Sequence, residues 1–184
     1  MPPQSPLWIF GYGSLLWKHS HPSTVTRECY IEGYSRRLWQ GSPDHRGTPE
    51  RPGRVATLTQ APDERCWGVA QLIPPEDVDA TLRVLDVREQ AGYERLSFPL
   101  FGSDGETWGT GVTYAAAEDN PHYLGPAETE HIAAYVLSCH GPSGSNATYV
   151  HKLAAALRGM GVDDPHIARI AGAITRRQGG GMHV

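Results

Sequence analysis

The 184-residue sequence predicts an α+β protein in which a curved sheet or small barrel precedes a helical C-terminal part. Two observations carry that reading. From Leu7 to about Ala117, short apolar and aromatic runs alternate with Gly, Pro and Asp; from Pro126 to Gln178, apolar residues recur at helical spacing. A third observation bounds the answer. There is no internal repeat and no low-complexity insert, so the length suits a single domain over 1–184 with a core of about 7–178. The Pro-rich start and the Gly179-Gly180-Gly181 run are expected to fray.

The strand candidates are residues 7–10, 30–39, 55–59, 66–72, 94–101 and 108–114. Each is rich in β-branched or aromatic residues, which pack well on a half-buried pleated surface. One helix interrupts them. Pro74-Pro75-Glu76-Asp77 supplies proline and acidic residues for a first turn, and Val78, Leu82 and Leu85 follow at helical spacing. That helix ends near Glu89, with Gly92 placed to terminate it. Three more helices follow, over 128–139, 146–158 and 163–177. Their apolar faces carry Ile132 and Val136, then Val150, Leu153 and Leu157, then Ile167, Ile170 and Ile174. Arg176 and Arg177 close the last one, where cations suit the helix dipole.

Composition removes several function classes. With 16 basic against 20 acidic residues the formal net charge is -4, and no basic stripe marks a nucleic-acid binder. No stretch approaches the ~18 consecutive apolar residues of a membrane span. The first residues lack the charged and apolar regions of a secretory signal. The 3 cysteines are widely spaced and form no C-x-x-C pair, which fits reduced thiols and a cytoplasmic location rather than a disulfide or zinc framework. His19 and His21 have no carboxylate or cysteine at a ligand-like spacing, so no metal site is expected. Nothing calls for an obligate protein partner.

Three segments have the residue types for chemistry. In Ile9-Phe10-Gly11-Tyr12-Gly13-Ser14-Leu15 an apolar strand runs into a glycine-bearing turn, whose backbone N–H groups suit a carboxylate or a developing oxyanion. A plain strand-to-loop turn is the simpler account of that segment alone. Glu89 falls at the predicted end of a helix, where the dipole disfavours negative charge; screening by Tyr93 and Tyr12 would raise its pKa toward acid/base use. An exposed carboxylate paired with Arg88 explains the same residues more simply. Arg36 and Arg37, leading into the polar loop with Asp44, His45 and Arg46, match the geometry of an acidic ligand and equally that of an internal ion-pair cluster.

Taken together, these segments resemble the ChaC family, closest to the short, constitutive type of glutathione-specific γ-glutamylcyclotransferase. The resemblance rests on Phe10-Gly11-Tyr12-Gly13-Ser14-Leu15, Tyr34-Ser35-Arg36-Arg37, Trp39-Gln40-Gly41-Ser42 and Asp44-His45-Arg46-Gly47. Pro52-Gly53-Arg54-Val55, Trp67-Gly68-Val69-Ala70, Arg88-Glu89, Tyr123-Leu124-Gly125-Pro126 and Gly141-Pro142-Ser143-Gly144 continue it in the family's order. It implies a γ-glutamylcyclotransferase-like small mixed β-barrel flanked by helices. It implies glutathione as substrate, cyclised to 5-oxoproline with release of cysteinylglycine, and neither metal nor cofactor. It also implies Glu89 as the catalytic residue and Ile9 to Leu15 as the substrate-binding element, with Arg36, Arg37 and Tyr123 as candidate pocket residues. Two alternatives stay open at this point: another γ-glutamyl amine or peptide as substrate, or a regulatory binding protein without turnover.

Overall fold

The computed structural model describes residues 5–18, 21–88, 93–116 and 118–180. Five strands form a closed barrel: β1 (Leu7–Gly11), β2 (Val25–Ser42), β3 (Gly53–Ile73), β4 (Tyr93–Phe101) and β5 (Thr107–Ala116), in the order β1-β3-β2-β4-β5. The barrel is mixed. β1 pairs antiparallel with β3, placing Ile9 opposite Gln71 and Gly11 opposite Val69, and pairs parallel with β5, placing Ile9 opposite Val112. β4 is antiparallel to both β2 and β5. The expected strands at 55–59 and 66–72 are one continuous strand, β3, of 21 residues. Between them Gln60-Ala61-Pro62-Asp63 has the composition of a turn. Pairing with the 18-residue β2 keeps it extended, and the Glu32–Arg65 ion pair at 3.4 Å ties the two strands there.

Four helices accompany the barrel: α1 (Val78–Arg88), α2 (Thr129–Leu137), α3 (Asn146–Gly159) and α4 (Pro165–Gly179). A 3-10 turn over Pro75–Asp77 precedes α1, so the prolines start the turn four residues before α-helical geometry begins. Ser145 caps α3 by accepting the Thr148 N–H, and Asp164 caps α4 by accepting the Ile167 N–H.

The chain divides into two compact units, Met1–Arg36 with Leu58–Asn120, and Arg37–Thr57 with Pro121–Val184. In the first, Ile9, Ile73 and Tyr114 from the barrel pack with Val78 and Leu85 of α1. Ile9 and Phe10 are both buried, although neighbouring residues of a strand point to opposite faces. β1 is therefore covered on both sides. In the second unit Ile132, Val136, Val150, Leu153, Ile167, Ile170 and Ile174 are fully buried, and they lie on the apolar faces expected of α2, α3 and α4. Among the described residues no helix is long and apolar enough to cross a membrane.

Candidate functional site

The glycine-bearing turn leaves the barrel at the end of β1. Gly11 is the last strand residue, Gly13 precedes a single 3-10 turn over Ser14–Leu16, and the Leu16 N–H donates to the Gly13 carbonyl at 3.0 Å. The turn is tight. A Cβ on Gly11 would stand 2.4 Å from Leu15 Cβ, and one on Gly68 in β3 would stand 2.3 Å from the Gly11 carbonyl oxygen. Ile9 and Phe10 spend their side chains on the core, whereas Gly13, Ser14 and Leu15 remain half-buried. Leu15 is held through its carbonyl, which accepts from Gln71 Nε2 at 3.3 Å.

Tyr12 is the fixed point of the turn. Its hydroxyl donates to the Tyr114 carbonyl at 2.6 Å, and its own carbonyl accepts from Arg36 Nε at 2.6 Å. Arg36 also donates through Nη2 to the Trp67 carbonyl, and only 2% of it is exposed. Of the two arginines carried forward from the sequence, Arg36 therefore joins the turn. Arg37 follows it in β2 and belongs to the second unit, where its guanidinium lies 5.8 Å from the centre of the Trp39 ring. Tyr123 is also in the second unit, bridged to Gln40.

Glu89 lies outside the described residues, as does the rest of 89–92 between α1 and β4. The last turn of α1 is described, and it is anchored by a contact that sequence reading does not reveal. Tyr114 donates its hydroxyl to Asp86 Oδ1 at 2.5 Å, and Asp86 Oδ2 stands 3.9 Å from Arg95 Nη1. Burial, then the Asp86 carboxylate, hold the Tyr114 phenol well above its ordinary pKa. Tyr114 thus takes Tyr12 on its carbonyl and α1 on its hydroxyl.

A second arginine organises the other unit. Arg54 Nη1 donates to the carbonyls of Leu38 and Gly125 at 3.0 and 2.8 Å, shaping the segment that carries Tyr123. Asn146, fully buried at the start of α3, pairs with the Arg54 main chain in both directions at 2.7 Å. His166 Nε2 accepts the Leu38 N–H at 3.0 Å; burial and then Arg37 push its pKa down to about 4, so the ring is neutral.

The model of the family described as ChaC-like protein matches residues 7–177. The chain belongs to the ChaC family. A zebrafish relative, glutathione-specific γ-glutamylcyclotransferase 1, is 42% identical over 176 residues, covering 93% of this chain and 90% of its own. The human protein of the same name is 40% identical, covering 91% of this chain and 78% of its own. Among solved structures, a yeast γ-glutamylcyclotransferase specific to glutathione superposes with a TM-score of 0.87 at 30% identity, covering 98% of this chain and all of its own. The barrel and four helices of this ChaC protein are thus a γ-glutamylcyclotransferase fold.

Proposed function

We propose that this ChaC protein cleaves glutathione by closing its γ-glutamyl group into 5-oxoproline and releasing cysteinylglycine. The observation that carries the reading is the 42% identity with the zebrafish glutathione-specific enzyme over 93% of the chain. The glycine turn supports it, being a half-buried stretch of backbone held in one shape by Tyr12, Arg36 and Gly68. The α-amine of the γ-glutamyl group attacks its own γ-carbonyl, so a five-membered ring forms as the bond to the cysteine nitrogen breaks. A folded substrate gains an intramolecular advantage that reaches effective molarities on the order of 10⁵ M. Protons leave the α-nitrogen as the ring closes and are taken up by the departing nitrogen. In this reading Glu89 carries them, as base and then as acid. Residues 9–15 hold the γ-glutamyl group.

The substrate is tested by incubating the purified protein separately with glutathione and with γ-glutamyl dipeptides lacking the glycine, and measuring 5-oxoproline. The reading requires glutathione to be the preferred substrate by kcat/KM. Equal or better turnover of the dipeptides would show that the site does not recognise the tripeptide.

A further inference from the structure

Arg36 is a charged side chain buried to 98%, and two of its donors end on main-chain carbonyls from different segments, Tyr12 after β1 and Trp67 within β3. The bond to Tyr12 has a stereochemical consequence. A trans peptide holds its C=O and N–H antiparallel, and no cis peptide is present among the described residues. With the Tyr12 carbonyl turned toward the guanidinium, the N–H of the same peptide, that of Gly13, is turned away from it. That N–H has no partner among the described residues, and Gly13 is half-buried rather than immersed in solvent. The Gly13 carbonyl is committed to the Leu16 N–H and the Tyr12 hydroxyl to Tyr114, so the residues on both sides of that peptide are anchored.

We propose that Arg36 is a positioning residue: by clasping the Tyr12 carbonyl it aims the Gly13 N–H at a carboxylate or oxyanion bound at the glycine turn. The inference rests on the reading of that turn as the substrate-binding element. It gives Arg36 a role behind the turn rather than as a direct ligand of the substrate. A buried guanidinium suits the task because its planar fork reaches two carbonyls at once, which a lysine ammonium does not do in the same geometry.

The test combines NMR with kinetics. In ¹⁵N-labelled wild-type protein, the Gly13 amide shifts saturably on titration with 5-oxoproline or acetate. In Arg36→Lys that response is lost and kcat/KM for glutathione falls by about 10²-fold, the range expected when one preorganised donor is lost. The melting temperature and far-UV circular dichroism establish that the variant is folded. A folded Arg36→Lys protein with a native Gly13 response and native kcat/KM would overturn the proposal. So would a wild-type Gly13 amide that stays still while both probes are shown to bind, a result that needs no variant. Wild-type protein that responds at Gly13 but leaves glutathione intact would refute the proposed substrate and leave the role of Arg36 standing.

Discussion

The Tyr114 hydroxyl lies 2.5 Å from Asp86 Oδ1 and fastens the last turn of α1 to β5. The same tyrosine accepts the Tyr12 hydroxyl on its carbonyl, so one residue of β5 steadies both the glycine turn and the helix that leads to Glu89. Tyr114→Phe removes the first contact and keeps the second, because the second uses the main chain. The loss of one charge-assisted bond at a partly solvated carboxylate costs about 1 kcal/mol, or a fall of roughly 2–4 °C in melting temperature for a chain of this size. The alkaline limb of the stability curve reports the same contact. A phenol whose pKa is raised on folding gives stability that is complete below the unfolded value of 10.0 and is lost as pH rises beyond it. Thermal melts between pH 8 and 11 should show wild type and Tyr114→Phe converging as the pH rises; parallel curves would contradict the assignment.

Gly11 and Gly68 leave no room for a methyl group. Alanine at 11 meets Leu15 Cβ at 2.4 Å, and alanine at 68 meets the Gly11 carbonyl oxygen at 2.3 Å and the Phe10 ring at 2.8 Å. Neither clash is with the free end of a flexible side chain. Each substitution is expected to cost about 1–3 kcal/mol and to deform the turn. Urea titration of Gly68→Ala, with a Gly159→Ala control where nothing lies within 4 Å of the new methyl group, checks the comparison. Equal midpoints for the two variants would show that the packing at Gly68 is looser than described.

Asn146 is fully buried and satisfies both the N–H and the C=O of Arg54. Asn146→Ala strands two buried main-chain groups, so a loss of roughly 2–4 kcal/mol is expected. Asn146→Asp keeps the acceptor but places a carboxylate against the Arg54 carbonyl, and is expected to be no milder. Denaturant midpoints near the wild-type value for both variants would show that water replaces the lost bonds without cost.

His166 contributes to the acid limb. Its pKa falls from 6.5 to about 4 on folding, a depressed value for a base, so the unfolded chain binds the extra proton first. The stability it contributes is complete above 6.5 and declines as pH drops through 4. Protonation also abolishes its acceptance of the Leu38 N–H. His166→Gln should flatten the slope of stability against pH between 6.5 and 4. A slope unchanged by the substitution would assign that decline to other groups.

The elements were legible in the sequence because their signals are local. The apolar runs of β1, β4 and β5 and the 3.6-residue spacing in α2, α3 and α4 stand within a residue or two of the observed bounds. The middle of β3 misled because Pro62-Asp63 has turn composition, while the pairing that overrides it comes from a strand some 30 residues earlier. The long-range anchors within each unit were not legible for a related reason. Tyr114 finds Asp86 across 28 residues and Asn146 finds Arg54 across 92, and neither pair leaves a periodic trace. Alternation along β2 does predict that Arg36 and Arg37 point to opposite faces, a distinction that reading the two as a pair passes over.

In the proposed reaction Glu89 moves the protons while the glycine turn holds the γ-glutamyl group. The most direct measurement incubates the wild type and Glu89→Gln with millimolar glutathione and quantifies 5-oxoproline and cysteinylglycine by mass spectrometry. Both products should appear in equal amounts from the wild type, and the rate should fall by about 10²–10⁴-fold in a folded Glu89→Gln protein. Near-native turnover in that variant would show that a group other than Glu89 moves the protons.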